Sequence, residues 1–352
     1  SRTMSLPPIE IPLGAMRFNS DSQKLEYWMG SAWMQIKTFS PNLGDATNSA
    51  DTTGGARALI FGGAEPATNV IEFITISTQG NGTDFADLSQ AARAVGACAS
   101  NVRAFRFGGY RDSPGTYTDT IDFGVFSSQS DFTDFGNLSA NRFNLSVVSN
   151  QTRGVAFGGE IPSPFHNEMQ YITMTSAGNT EDFGDLTQDL RPSSNHACNP
   201  TRGFAVGGYV SPGTTNSVIE SWSIPTTGNS ANFSSLNTAI FSNTVSSNST
   251  RALSIGGRTP STVDNVEKVE LISGGNGVDF GTLSQTNAIM GSTGNSTRIV
   301  ATGGNRGASP YAPQDRIEYF QISTGGQAGD FGDLGTAQDY PDACSNGHGG
   351  LG

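Results

Sequence analysis

Short apolar runs ending in a glycine pair recur along the chain as ALIFGG, FRFGG, VAFGG, FAVGG, LSIGG and IVATGG. The pairs are Gly62/Gly63, Gly108/Gly109, Gly158/Gly159, Gly207/Gly208, Gly256/Gly257 and Gly303/Gly304, spaced 46, 50, 49, 49 and 47 residues apart. An arginine precedes each run (Arg57, Arg103, Arg153, Arg202, Arg251, Arg298). After each pair comes a segment with an acid or amide in its middle: VIEFITI, TIDFGVF, EMQYITM, VIESWSI, KVELIS and RIEYFQI. Every unit closes on Phe-x-x-Leu, at leucines 88, 138, 186, 236, 283 and 334. A fourth, small-residue segment lies between a closing leucine and the next arginine, as in VGACASN, LSVVSN, SNHACNP and NTVSSN. Alternation of Thr, Val, Ile and Phe with polar residues predicts strands, and no stretch sustains helical i, i+3, i+4 spacing. Four strands of about 5 to 6 residues and four connections of about 4 to 6 fill the period, so helices have no room.

A four-stranded unit repeated six times at this period predicts an all-β propeller. The diglycine, the RPSSNHA-type segment before it, the third-strand aromatic (Phe73, Phe123, Tyr171, Trp222, Tyr319) and the closing Phe-x-x-Leu resemble a kelch repeat. Phe stands in the fourth strand where kelch units usually carry Trp. The resemblance covers residues 44–334 and implies a six-bladed kelch-like β-propeller, with seven blades the alternative. The blades run at about 44–88, 89–138, 139–186, 187–236, 237–283 and 284–334, followed by a closing strand within 335–352. One glycine of each pair is expected to turn the chain and the other to admit a close neighbour. The first strand of blade one has two sources, NLGDATNSAD (42–51) or DYPDACSNGHGG (339–350), and the second copies the motif better.

Ahead of the repeats, GAMRFNSDSQKLEYWMGSAWMQI alternates apolar and polar residues in three runs, Met16 to Phe18, Leu25 to Trp28 and Trp33 to Ile36, which predicts a small antiparallel β-meander. Three strands alone cannot bury Trp28 and Trp33, so a partner is expected to cover them. On Gly14, Arg17, Phe18, Asn19, Leu25, Glu26, Tyr27, Gly30, Ser31, Ala32 and Trp33 the segment resembles a module of tailed-bacteriophage virion structural proteins. Residues 1–38 are accordingly expected to attach and oligomerise the protein through Phe18, Tyr27, Trp28 and Trp33, with other virion proteins as partners and a trimer suggested by analogy with phage fibres. Residues 39–352 are expected to form the propeller.

Composition narrows the function. Only 14% of residues are charged, 45 are Gly and 21 are Phe, so the chain should fold under a surface of Ser, Thr, Asn and Gly. Nineteen basic against 31 acidic residues give −12, which repels a nucleic-acid backbone. Pro7, Pro8 and Pro12 interrupt the start, and no run approaches a membrane span, so no membrane insertion is expected. Cys98, Cys198 and Cys344 all fall in the small-residue segment and read as buried packing residues. Copper-dependent kelch enzymes need two histidines and two tyrosines; here His166, His196 and His348 have no ligand spacing, so no metal and no cofactor is expected. The acids Asp84/Asp87, Asp131/Asp134, Asp182/Asp185 and Asp330/Asp333 recur in four units, which fits turn chemistry better than a catalytic pair or a calcium loop. The six arginines and the acids Glu72, Asp122, Glu220, Glu270 and Glu318 read as a structural ladder.

The third-to-fourth connections are nearly uniform, whereas the second-to-third ones vary: AEPATN, YRDSPGTYTD, EIPSPFHNE, YVSPGTTNS, RTPSTVDN and NRGASPYAPQD. Prolines stiffen them, and they carry Tyr110, Arg111, Tyr117, Phe165, His166, Tyr209, Arg258, Arg306 and Tyr311, residue types enriched in recognition. Drift of surface loops is the alternative explanation. The function expected is a non-enzymatic phage virion structural protein displaying its propeller on the particle surface, as a tail-fibre or receptor-binding protein contacting a host-surface glycan or protein. The alternatives are a capsid decoration or head-fibre protein and, from another class, a carbohydrate-active kelch enzyme.

Overall fold

The computed structural model describes residues 11–19, 24–35, 56–64, 66–161, 165–192, 194–307 and 312–351. The chain divides into two compact units, Ser1–Leu43 and Gly44–Gly352. Among the described residues all regular structure is β apart from one 3-10 turn, Gly349–Leu351.

The first unit holds a meander of strands Met16–Asn19, Lys24–Trp28 and Trp33–Gln35, paired antiparallel in that order. Its register, Met16↔Tyr27, Phe18↔Leu25 and Tyr27↔Met34, sorts alternate side chains onto two faces. One face closes on itself: Arg17 pairs with Glu26 at 2.9 Å and lies 4.2 Å over the Trp33 ring, and Trp28 and Trp33 are 5.5 Å apart. The other face is open, with Met16 and Phe18 each 65% exposed beside Tyr27 and Met34. Of the attachment residues expected from sequence, Phe18 and Tyr27 are on the open face; Trp28 and Trp33 are half-buried on the opposite one.

The second unit repeats an antiparallel four-segment sheet six times. The first sheet runs Asp342–Ser345, Arg57–Phe61, Val70–Thr75, Thr83–Asp87, so its innermost strand comes from the C-terminal end, with Cys344 opposite Leu59. The other source considered, residues 42–51, lies outside the described residues. The second sheet is Gly96–Ala99, Arg103–Phe107, Thr120–Val125, Thr133–Asn137, and the third Ser146–Ser149, Arg153–Phe157, His166–Thr173, Glu181–Arg191. In the fourth, Arg202–Val206, Thr214–Ser223 and Ala231–Ile240 are strands, while the innermost segment makes isolated bridges, Cys198–Gly203 within the sheet and Asn195–Val245 to the fifth. The fifth is Thr244–Ser247, Arg251–Arg258, Thr262–Glu270, Val278–Thr282, and the sixth Gly291–Gly294, Arg298–Thr302, Gln314–Gln321, Gly329–Gln338.

The core lies between sheets. Phe105, Phe107 and Ile121 of the second sheet meet Leu145, Val147 and Ala156 of the third, and equivalent clusters fill the other interfaces between consecutive sheets. A further cluster joins Val300, Ile317 and Phe331 of the sixth sheet to Ala58, Ile60 and Ile74 of the first. Truncating one such buried Phe or Ile costs about 2–5 kcal/mol.

The repeated motif residues stitch these interfaces. The first glycine of each pair is left-handed, from φ +55° at Gly256 to +73° at Gly62, and five of the second glycines donate to a carbonyl at or beyond the end of their own sheet's fourth strand, as Gly159 N does to Leu190 O at 2.9 Å. A Cβ on Gly158 would stand 2.6 Å from Leu190 O, so the turn and the close approach both require glycine. The arginine-acid ladder expected from sequence is not what forms. Of the six arginines Arg251 pairs with one of these acids, Glu270, at 2.7 Å, and Arg202 donates to Ser221 Oγ of its own sheet at 2.6 Å; the arginines other than Arg202 reach forward to the following sheet, as Arg57 does to Phe126 O (2.9 Å), Arg103 to Met174 O (2.8 Å) and Arg298 of the sixth sheet to Ser77 O (3.0 Å) of the first. The acids reach backward to the residue after the preceding closing leucine: Glu72 takes Gly335 N–H (2.8 Å), Glu220 Thr187 N–H (2.8 Å) and Glu318 Ser284 N–H (3.0 Å). In the fifth sheet this acid is Glu267, accepting from Asn237 N–H at 2.8 Å, rather than Glu270.

The turn chemistry assigned to the recurring aspartates also differs. Asp131 accepts from Asp87 N–H at 3.1 Å, but in three other units an asparagine of the turn, Asn81, Asn179 or Asn229, does this. Asp84, Asp134, Asp182 and Asp330 are exposed on the fourth strands, where charge discourages edge-to-edge pairing.

Candidate functional site

One backbone device recurs on the side of the variable loops. The residue after each diglycine forms a two-way bridge with the residue that precedes the inner segment's first turn. The pairs are Ala64–Asp339, Tyr110–Arg93, Glu160–Phe143, Tyr209–Arg191, Arg258–Phe241 and Asn305–Ala288. The residue following the second member of each pair, or nearly so, has positive φ: Ala94, Asn144, Ser194, Ser242, Ile289 and Tyr340. Left-handed non-glycine residues cost on the order of 1 kcal/mol each and are held by their surroundings, here by amide links such as Asn144 N to Ala94 O (2.9 Å) and Tyr340 N to Ile289 O (3.0 Å).

Between the second and third sheets this device builds a cleft of about 260 Å³, lined by Arg93, Tyr110, Tyr117, Phe143, Glu160, Arg191 and their neighbours Ala94, Asn144 and Tyr340. Tyr117 comes from a short hairpin, Tyr110–Arg111 with Thr116–Tyr117, that sets it directly opposite Tyr110. Tyr117 stacks on Phe143 at 4.5 Å between ring centroids, and Tyr110 stands 5.2 Å from Tyr117. The polar side is made of matched pairs. Arg191 meets Glu160 at 2.9 Å, Asn144 donates to the same carboxylate oxygen at 3.3 Å, and Arg93, held by Asp112 at 3.0 Å, lies over the Tyr110 ring at 4.9 Å. Both ion pairs are half-buried, so each cation is neutralised in place.

Of the residues singled out from the sequence, Tyr110 and Tyr117 enter this cleft. Phe165 and Tyr209 form an adjoining cluster, 5.9 Å apart, with Arg191 over both rings. Arg111, His166, Arg258 and Arg306 do not line the cleft, and Tyr311 lies outside the described residues. His166 opens the strand His166–Thr173 rather than lying in a loop. Arg93, Phe143, Glu160, Arg191 and Tyr340 were missed. Four of them lie between a closing leucine and the next inner segment, where the left-handed residue stands six positions after the leucine in five of the six units.

The inner segments surround a second, small cavity lined by Cys98, Cys198, Cys344, His196, His348, Ser149 and Thr293. The C-terminal residues 346–350 are buried beside it. His348 donates from Nε2 to Ala99 O (2.7 Å) and accepts at Nδ1 from Gly350 N–H (3.1 Å); burial pulls its pKa down to about 4, so the ring is neutral. His196 faces acceptors on both sides, Val147 O at 3.0 Å and Asp342 at 2.7 Å. Burial acts to lower its pKa, but the Asp342 charge and the hydrogen bonds outweigh this and hold it above the ordinary value. Neither imidazole has a lone pair left for a metal, and burial raises all three thiols, Cys198 to about 12. Ser194, His196 and Asp342 lie together, but Ser194 and Asp342 share one ring nitrogen, His196 Nε2, which is not the relay order of a hydrolase triad.

No model of a known protein family matches the chain, and no curated protein matches it. On its structure it belongs to the all-β class, built of repeated antiparallel sheets.

Proposed function

We propose that the six sheets are the blades of a closed, six-bladed kelch-like propeller, and that the protein is a non-enzymatic binding component of a phage virion, attached through its N-terminal meander. Closure is supported by the interface between sheets six and one, which uses the same apolar cluster, arginine reach and acid reach as the others. The observation that carries the binding reading is the aromatic cleft: at the bridge where the first and sixth units have Ala64–Asp339 and Asn305–Ala288, the second to fourth have Tyr110–Arg93, Glu160–Phe143 and Tyr209–Arg191. The virion assignment rests on the phage-like residues of the meander and its open apolar face, which suits burial against a neighbouring virion protein or a second copy. A tail-fibre or receptor-binding location is favoured by the cleft, since a decoration protein needs none.

Two experiments test this. Gold labelling of purified particles with antibody to this chain is expected to mark the tail; absence from particles would remove the virion role. Removal of residues 1–38 is expected to give a folded monomer that no longer assembles, and an unchanged oligomeric state would end the attachment assignment.

A further inference from the structure

The geometry points to a neutral carbohydrate, one sugar ring with its vicinal hydroxyls, as the ligand of the cleft between the second and third sheets. This rests on the reading of that cleft as the binding site and adds the chemistry of what binds. The Tyr117–Phe143 stack, with Tyr110 beside it, supplies flat π-faces, which attract the weakly positive C–H face of a pyranose. The polar groups alongside are planar and paired: the Glu160 carboxylate accepts, the Arg191 guanidinium and the Asn144 amide donate, and Asn144 can accept as well. Adjacent hydroxyls that both donate and accept match such a set. A phosphate or carboxylate would instead need an uncompensated cation, and Arg93 and Arg191 are each already held by an acid, Asp112 and Glu160. A volume of about 260 Å³ sits just below the small-ligand range of roughly 300–1,000 Å³, which suits one ring and excludes a dinucleotide.

The full-length protein is to be titrated by saturation-transfer NMR with glucose, galactose, mannose and N-acetylglucosamine, with glucuronate and inorganic phosphate as anionic probes. At least one neutral sugar is expected to bind in the millimolar range. Tyr117→Ala should weaken it tenfold or more, while Tyr117→Phe, which keeps the ring, should stay within threefold; Glu160→Gln should weaken it with the melting temperature little changed. Binding of the anionic probes alone, no binding by any neutral sugar, or equal affinity in all variants would overturn the inference. Adsorption to host cells separates this from the broader reading: adsorption lost in Tyr117→Ala without any sugar bound defeats the carbohydrate assignment alone, whereas adsorption unaffected by Tyr117→Ala defeats the cleft as the binding site.

Discussion

The bridge after the diglycine has the same backbone in the first and second units and opposite side chains. In the first it joins Ala64 to Asp339, with N–H to O distances of 2.8 Å each way; in the second it joins Tyr110 to Arg93 at 2.8 and 2.9 Å. Small residues leave the first bridge as scaffold. In the second, aromatic and cationic side chains stand on equally rigid backbone, and with Phe143 and Glu160 of the third they enclose space for a ligand. The repeat therefore supplies position, and departures from it supply recognition.

Damage to the stitching is expected to cost far more stability than damage to the cleft. Asp122 occupies the backward-reaching acid position of the second sheet and is also paired with Arg106, both side chains fully buried. Asp122→Ala leaves a buried guanidinium without its counter-charge, a change that costs about 3–5 kcal/mol in denaturant unfolding. A loss below 1 kcal/mol would mean that the stitches are incidental to stability.

The inner histidines give the next largest effect. His348 is neutral in the fold at a pKa of about 4 against an ordinary 6.5, so between those values the unfolded state binds the extra proton and stability falls as pH falls, by up to roughly 3 kcal/mol. His196 has the opposite sign: its raised pKa contributes stability below about pH 6.5 that is lost as pH rises through the folded value. His348→Gln should flatten the acid limb of a melting-temperature profile and His196→Gln the alkaline limb. Identical profiles for wild type and both variants would contradict the buried network.

The smallest effect sharpens the contrast. The double change Tyr110→Ala with Arg93→Ala turns the second bridge into a pair like Ala288–Asn305. It removes only half-buried side chains, so unfolding free energy should drop by about 1 kcal/mol or less while adsorption is lost. A drop of several kcal/mol would make these residues part of the scaffold.

Much of this frame was legible because it repeats. The diglycines, the closing leucines and the C-terminal strand copy are each readable from spacing alone, and the structure pairs Asp342–Ser345 with Arg57–Phe61 accordingly. What the sequence obscured was partnership. Glu267 and Glu270 both lie in VEKVE, three positions apart, and only register shows that Glu267 makes the backward reach while Glu270 holds Arg251. The cleft was half visible: Tyr110 and Tyr117 stand in a variable loop, but Arg93 and Phe143 join through bridges between segments 17 residues apart, which no local pattern announces. Similarly, Trp28 and Trp33 drew attention to the meander by their size, yet the alternation of the strands leaves Met16 and Phe18 as its open face.

The arrangement of the six units is open to direct inspection in an experimental density map of the intact protein at side-chain detail. Six diglycines related by successive rotations of one-sixth of a turn are expected, with residues 342–345 beside 57–61 and the Tyr117–Phe143 stack facing an open cleft. A strand from residues 42–51 in that place, a seventh unit, or diglycines without rotational relation would contradict it.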